Sequence, residues 1–339
     1  MAELSLPISS LRRVRWTGVN THCGMEGNGG CQLLGLPYTD WHQVLRCNAE
    51  EAVARFSAGA RARVESSSQS FFARHDFLIR RLHSLSGLIP VGAYMVVHLL
   101  TNASVLESSA AFQKNVYMIH SLGSLLPVVE WVFIFLPILF HGIIGVWILA
   151  GGLPNSNQYR YGPNYRYVLQ RATGMIAFVF ILVHVFHMHG WFHADVWLEN
   201  VVKPLGGGQF KPYNAASTAG EALQGLGYLA FYVVGVLACV YHLANGVWTM
   251  GITWGVWTSP KGQVRASAVC AVLGLLLAVV SMGALFGMRS VGEGEALQQA
   301  QQAEDQMYRA KTESGEVAKD EHKRAQPKEP VEAAQRSAP

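Results

Sequence analysis

Five stretches of this chain run far enough without a formal charge to cross a lipid bilayer: Leu82–Leu106, Trp131–Ile148, Ala172–Ala194, Ala222–Pro260 and Ala266–Met288. About 20 apolar residues span the hydrocarbon core, where every backbone N–H and C=O must find its partner inside the chain. Runs of this length and apolarity meet that demand as helices. The expected fold class is therefore an all-α membrane protein, with five transmembrane helices packed as a bundle. The fourth run is too long for one crossing. It is read as a span to about Trp248 followed by an interfacial stretch carrying Trp254 and Trp257. Pro90 and Pro137 fall inside spans and are expected to kink them, which membrane helices tolerate.

Composition agrees with a bilayer setting. Charged residues are 14% of the chain, against about 25% in soluble domains. The 34 glycines suit closely packed membrane helices. A net charge of +4 is too small to argue for nucleic acid, and no nucleic-acid partner is expected. The five cysteines are odd in number, and Cys239 and Cys270 lie in apolar runs, so they do not read as a disulfide framework. Cys23, Cys31 and Cys47, with His22 or His42 nearby, match no common zinc spacing. The first thirty residues lack the continuous apolar core of a signal peptide, so the first span is expected to direct its own insertion.

Residues 1–76 show no clear period and are read as an extension of unknown fold, dispensable for the chemistry. Residues 77–288 form the membrane domain. Residues 289–339 turn to Glu, Gln, Ala and Lys, and read as a solvated tail, disordered or a frayed helix. Basic residues are unevenly placed. Arg74, Arg80, Arg81, Arg160, Arg166, Arg171, Lys261 and Arg265 fall on one side of the alternating spans, and Lys114, Lys203 and Lys211 on the other. The first side is expected to be cytoplasmic, with the amino terminus inside and the carboxyl terminus outside.

Four of the spans hold a histidine well away from their ends: His98, His141, His184 and His242. An ionisable group at such depth is costly and usually functional. The structural alternative, a hydrogen bond to a neighbouring helix, is reasonable for any one of them but harder to sustain for all four. Counted along alternating spans, depth favours an outer pair, His98 with His184, and an inner pair, His141 with His242, offset by several ångströms at 1.5 Å per residue. Two imidazoles alone would leave a bare transition metal under-coordinated, and no Cys, Asp or Glu lies at matching depth. Haem brings four ligands of its own and needs only one imidazole from each of two facing helices. Gly142, Gly145 and Gly246 would give a flat macrocycle room. Arg80, Arg81 and Arg171 are candidate partners for the propionates of the inner haem. His187 lies one turn from His184 and rivals it as ligand. His189 and His193 crowd the same helix end, and His83 follows the paired arginines at the inner surface, as a structural residue or a contact for a soluble partner.

The sequence around each of these histidines is distinctive. The segment Phe77 to His98 reads FLIRRLHSLSGLIPVGAYMVVH, and Phe135 to Gly142 reads FLPILFHG. Leu169 to Gly174 reads LQRATG, ten residues before His184, and Tyr241 to Trp248 reads YHLANGVW. In motif, order and spacing, residues 71–288 closely resemble the single-subunit, two-haem cytochrome b558 type of membrane anchor in the succinate dehydrogenase/fumarate reductase cytochrome b family. The resemblance implies two haem b groups with bis-histidine ligation, the distal one on His98 and His184 and the proximal one on His141 and His242. It favours His184 over His187. It implies a flavoprotein subunit bearing FAD and an iron–sulfur subunit on the cytoplasmic face of a bacterial cytoplasmic (inner) membrane. It further implies a membrane quinone, menaquinone by likeness, as electron partner.

The chain itself has no dinucleotide fingerprint and no cluster-type cysteine run, so flavin and dicarboxylate chemistry are not expected in it. Glu107, His120, Glu130 and His187 are the polar candidates for a proton path to the quinone, each with a plain interfacial role as the alternative. Two rival readings stand beside this one: a dihaem cytochrome b subunit of another quinone-linked respiratory oxidoreductase, and a cofactor-free histidine-bearing transporter.

Overall fold

The computed structural model describes residues 23–24, 30–31, 71–152, 156, 158–192 and 194–325. The chain divides into two units, residues 1–74 and 75–339. In the first, a two-residue antiparallel ladder pairs Cys23 with Cys31 and Gly24 with Gly30. His22, His42 and Cys47 lie outside the described residues, as does most of the extension.

The second unit holds five helices long and apolar enough to cross a membrane: Arg74–Leu106, Gly123–Ala150, Gly162–His189, Leu226–Thr253 and Pro260–Val291. Alternation of these spans puts residue 74 and the connections 151–161 and 254–259 at one end, called here the arginine end. The connections 107–122 and 190–225 and the start of the tail share the other, the tail end.

The prolines interrupt two spans in different ways. Span one is helical over Phe71–Leu88 and Val91–Ala103, divided at Pro90. In span two, Pro137 has no N–H to give the preceding turn. The helix widens there into a π-turn, Trp131–Phe135, closed by the Leu136 N–H on the Trp131 carbonyl, before Leu136–Ala150 resumes. Span three stops at Gly190, whose φ of 82° lets its N–H reach the Val185 and Phe186 carbonyls, both at 3.0 Å. Only a residue without a Cβ takes that left-handed turn at no steric cost. Span four continues five residues beyond the expected Trp248, because nothing breaks it before Gly255 at φ 73°. The tryptophans after it fold back: Trp257 Nε1 donates to the Trp248 carbonyl at 2.9 Å. Ser259 caps span five by accepting from the Gly262 N–H at 3.1 Å, with Pro260 in the first turn.

Many large apolar side chains face outward along the spans. Val264, Val269 and Leu275 are each at least 66% exposed. Lipid tails, not protein, would cover them. Among the described residues the largest buried cluster lies toward the tail end, where Phe112, Val116, Phe180, Ala219, Tyr232 and Leu285 share one core.

Residues 289–325 depart from the expected solvated tail. They include a helix, Gly294–Glu313, that buries Ala300, Glu304 and Tyr308 on one side. Glu304 is fully buried and accepts from the Ala216 N–H at 2.7 Å, the Ser217 N–H at 3.0 Å and the Ser217 hydroxyl at 2.6 Å. Its carboxylate thus closes the start of the short helix Ala215–Ala222. Residues 326–339 lie outside the described part.

Candidate functional site

The four span histidines meet in two pairs. The rings of His141, on span two, and His242, on span four, have centroids 6.1 Å apart and planes at 80°. Those of His98, on span one, and His184, on span three, are 6.0 Å apart at 72°. A metal–imidazole bond is about 2 Å. With roughly 1 Å from each nitrogen to its ring centre, two imidazoles in line on one ion would have centres about 6 Å apart. The spacing therefore fits bis-histidine ligation. Among the described residues no group of three or more His, Cys, Asp or Glu could hold a bare metal ion. The donor set thus fits a cofactor that brings equatorial ligands with it.

Each pair lies in its own chamber. The chamber of His141 and His242 has a volume of about 500 Å³, and that of His98 and His184 about 380 Å³, both within the range of cofactor pockets. Val91, Met95, Ile138, Ile181 and Cys239 line both, so a partition one side chain thick separates them.

Hydrogen bonds fix the rings. His141 Nδ1 lies 3.0 Å from the His83 carbonyl, and His242 Nδ1 lies 3.1 Å from the Gln170 carbonyl. A carbonyl only accepts, so an Nδ1–H serves each of these bonds and leaves Nε2 its lone pair for a ligand. The Gln170 amide nitrogen, 3.2 Å from His242 Nδ1, donates to the His242 carbonyl, also at 3.2 Å. In the second chamber His184 Nδ1 is 3.2 Å from the Tyr232 hydroxyl. His98 differs, since the Asn102 amide nitrogen, one turn on, sits 3.1 Å from its Nε2.

Close approach of backbone to ring sets the geometry of the larger chamber. A side chain at Gly87 would run into the His141 ring, and a Cβ at Gly174 would lie 2.8 Å from His242 Cε1. The glycines singled out in the sequence face other groups. Gly142 abuts Phe178, Gly145 abuts His83, and Gly246 lies near Gln170, although all three still line the chamber. His83 stacks on His141 with centroids 4.1 Å apart.

Beside this chamber a polar chain ties three spans together. Gln170 Oε1 accepts from Asn245 Nδ2 at 2.7 Å, and Asn245 Oδ1 accepts from Arg166 Nε at 2.9 Å. Arg166 also donates to Ser267 at 3.0 Å and lies 3.7 Å over the Trp248 ring. Gln170 and Asn245 lie inside the quoted motifs, but their partnership depends on which helix faces meet.

The remaining candidates separate by position. Arg80 and Arg171 line the larger chamber. Arg80 is paired with Asp76 at 2.9 Å, and Arg171 donates to the Tyr167 hydroxyl at 2.8 Å and to the Leu149 and Gly152 carbonyls at the end of span two. Arg81 instead lies 4.9 Å over Phe77 and 5.1 Å over Trp254, outside the lining. His120 and Glu130 line the smaller chamber. His187 is buried beside it, stacked on Tyr228 at 4.2 Å with its Nδ1 2.9 Å from the Tyr232 hydroxyl. Glu107 is exposed beyond the end of span one, outside the lining. His189 lines the chamber, while His193 lies outside the described residues.

Comparison with known proteins gives this geometry a family. Residues 154–282 match the family described as succinate dehydrogenase/fumarate reductase transmembrane subunit. The succinate dehydrogenase cytochrome b558 subunit of Bacillus subtilis (strain 168) is 32% identical over 211 residues, which cover 62% of this chain and 96% of that protein. The chain is thus a multi-pass membrane cytochrome b subunit belonging to the succinate dehydrogenase/fumarate reductase transmembrane family.

Proposed function

We propose that this chain anchors a succinate:quinone oxidoreductase in the membrane and conducts its electrons through two b haems to a quinone. The observation that carries the reading is the pair of imidazole pairs, at 6.1 and 6.0 Å, in adjoining chambers. His141 and His242 would hold the proximal haem, and His98 and His184 the distal one, with the Asn102 amide turned aside from His98. Arg80 and Arg171, at the chamber wall, would meet propionates of the proximal haem. The likeness to a succinate dehydrogenase subunit supports a flavoprotein with FAD and an iron–sulfur subunit as partners, docked at the arginine end on the cytoplasmic side. Menaquinone is the proposed quinone.

Bound haem supplies reversible one-electron chemistry. The chain's own residues do the rest. The carbonyls of His83 and Gln170 hold the proximal imidazoles in one tautomer. The apolar partition of Met95, Ile138, Ile181 and Cys239 keeps water from between the chambers. Glu130 and His120, which line the distal chamber, would pass protons toward a quinone bound nearby.

A reduced-minus-oxidised spectrum of the purified complex tests the reading. Two equivalents of b-type haem per chain are expected, and a colourless protein would sink it in favour of a cofactor-free transporter. Replacing either His141 or His242 by Ala should remove one haem and leave the other visible. Retention of both would refute the proximal assignment.

A further inference from the structure

One hydrogen bond in the smaller chamber has no counterpart in the larger one. His141 and His242 each turn Nδ1 to a backbone carbonyl, whereas His184 turns Nδ1 to the Tyr232 hydroxyl, at 3.2 Å. Tyr232 is 4% exposed, and its hydroxyl has a second neighbour, His187 Nδ1 at 2.9 Å. The His187 ring is held in turn by Tyr228, parallel to it within 4°. A hydroxyl has one proton and two lone pairs. With Nε2 of His184 given to a metal, its Nδ1–H donates to Tyr232, and the Tyr232 O–H donates to His187 Nδ1.

From this chain of donors we infer that Tyr232, backed by His187, is a positioning residue that sets the redox potential of the haem on His98 and His184. The inference rests on the haem reading above and goes beyond it. An acceptor on the outer N–H of a ligand imidazole makes that imidazole a stronger donor and fixes its ring. A stronger donor favours ferric over ferrous iron. The onward bond to His187 polarises the Tyr232 hydroxyl and strengthens its acceptance. His187 therefore acts through Tyr232 and not as the alternative ligand. Two haems built from identical ligand pairs are made unequal by what stands behind one imidazole, a side-chain hydroxyl in place of a main-chain carbonyl.

Potentiometric titration of the assembled complex tests this, with the distal haem identified in a His141→Ala background. Tyr232→Phe keeps the ring and removes only the hydroxyl. It should raise the distal potential, increasing the ferrous-to-ferric ratio at fixed potential up to about tenfold, or about 59 mV, while the proximal potential stays put. His187→Leu should shift it in the same direction by less, and the double variant should not add a further His187 effect. An unchanged distal potential in both single variants, or an equal shift of both haems, would overturn the proposal. Should Tyr232→Phe fail to assemble, a His187→Leu complex with an unmoved distal potential overturns it by itself. Absence of b-type haem from the unaltered complex would instead refute the haem reading.

Discussion

At the scale of single residues, the larger chamber depends on atoms that are absent. Gly174 sits where the His242 ring crosses span three, and a Cβ there would come within 2.8 Å of a ring carbon. The ring is tethered through Nδ1 to the Gln170 carbonyl, one turn from Gly174 on the same helix, and flanked by the Gln170 side chain, so retreat from a Cβ at Gly174 would break that bond. Gly174→Val should displace His242 and strip one b haem, leaving the pair on His98 and His184 occupied. Haem stoichiometry by pyridine haemochromogen, with the surviving band compared to that of His242→Ala, checks this. Gly227→Val is the contrast, since a Cβ there meets no atom within 4 Å and the residue lines neither chamber, and both haems should remain. The histidines were legible in the sequence because a polar group in an apolar run stands out. Gly174 lay in a quoted motif but not for this reason. A glycine in a span signals close approach without naming what approaches it. Tyr232 gave no signal, because a tyrosine within a span is ordinary and its partners come from another helix.

At the scale of elements, the departure from sequence expectation is the tail helix, Gly294–Glu313. Ala300, Glu304 and Tyr308 recur every fourth residue, so they form one helix face. The centre of that face is a carboxylate, which hides the stripe from any apolar periodicity. Its partners, Asn214, Ala216 and Ser217, lie some ninety residues earlier in the chain. Gln113 ties the same helix start to Ser109–His120 through the Pro212 carbonyl and the Ala215 N–H, both at 2.8 Å. The tail therefore holds two elements, carrying Phe112, Val116 and Ala219, that wall the smaller chamber.

Burial pushes the Glu304 carboxyl above its usual range, and the hydrogen bonds from Ser217, Asn214 and Ala216 pull it only partly back. A carboxyl raised on folding stabilises most below its unfolded value, and that contribution is lost as pH rises through the folded one. Docking of the tail should therefore be tighter near pH 4.5 than at pH 8. The hydrogen-exchange rate over residues 294–313, taken as the ratio of unaltered protein to Glu304→Gln at each pH, should rise toward alkaline pH. A ratio independent of pH would contradict it. Glu304→Ala, which orphans buried donors, should cost about 2–4 kcal/mol of tail docking.

At the scale of the whole molecule, the chain sets two chambers in series along the spans, one toward each end. Which is met first depends on which end faces the cytoplasm. The five-helix bundle was legible from length and charge alone, because the bilayer permits few other solutions. Orientation has a physical signal too. The arginine end carries Arg80, Arg81, Arg160, Arg166, Arg171, Lys261 and Arg265, while the tail end, before the tail itself, carries Lys114, Lys203, Lys211 and Arg289. Lys203 is already ion-paired with Glu199. Basic residues near short connections are retained on the cytoplasmic side during insertion, so the arginine end is expected to face inward and the tail outward. A cysteine introduced at exposed Gln302 should react with a membrane-impermeant maleimide in intact spheroplasts. One introduced at exposed Arg160 should react only after permeabilisation, with the unaltered protein as the blank in both cases. That result makes the His141–His242 chamber the first station for electrons from a cytoplasmic dehydrogenase and puts the quinone end, with His120 and Glu130, near the outer face. The opposite labelling pattern would reverse the order of the two chambers and with it the proximal and distal assignments.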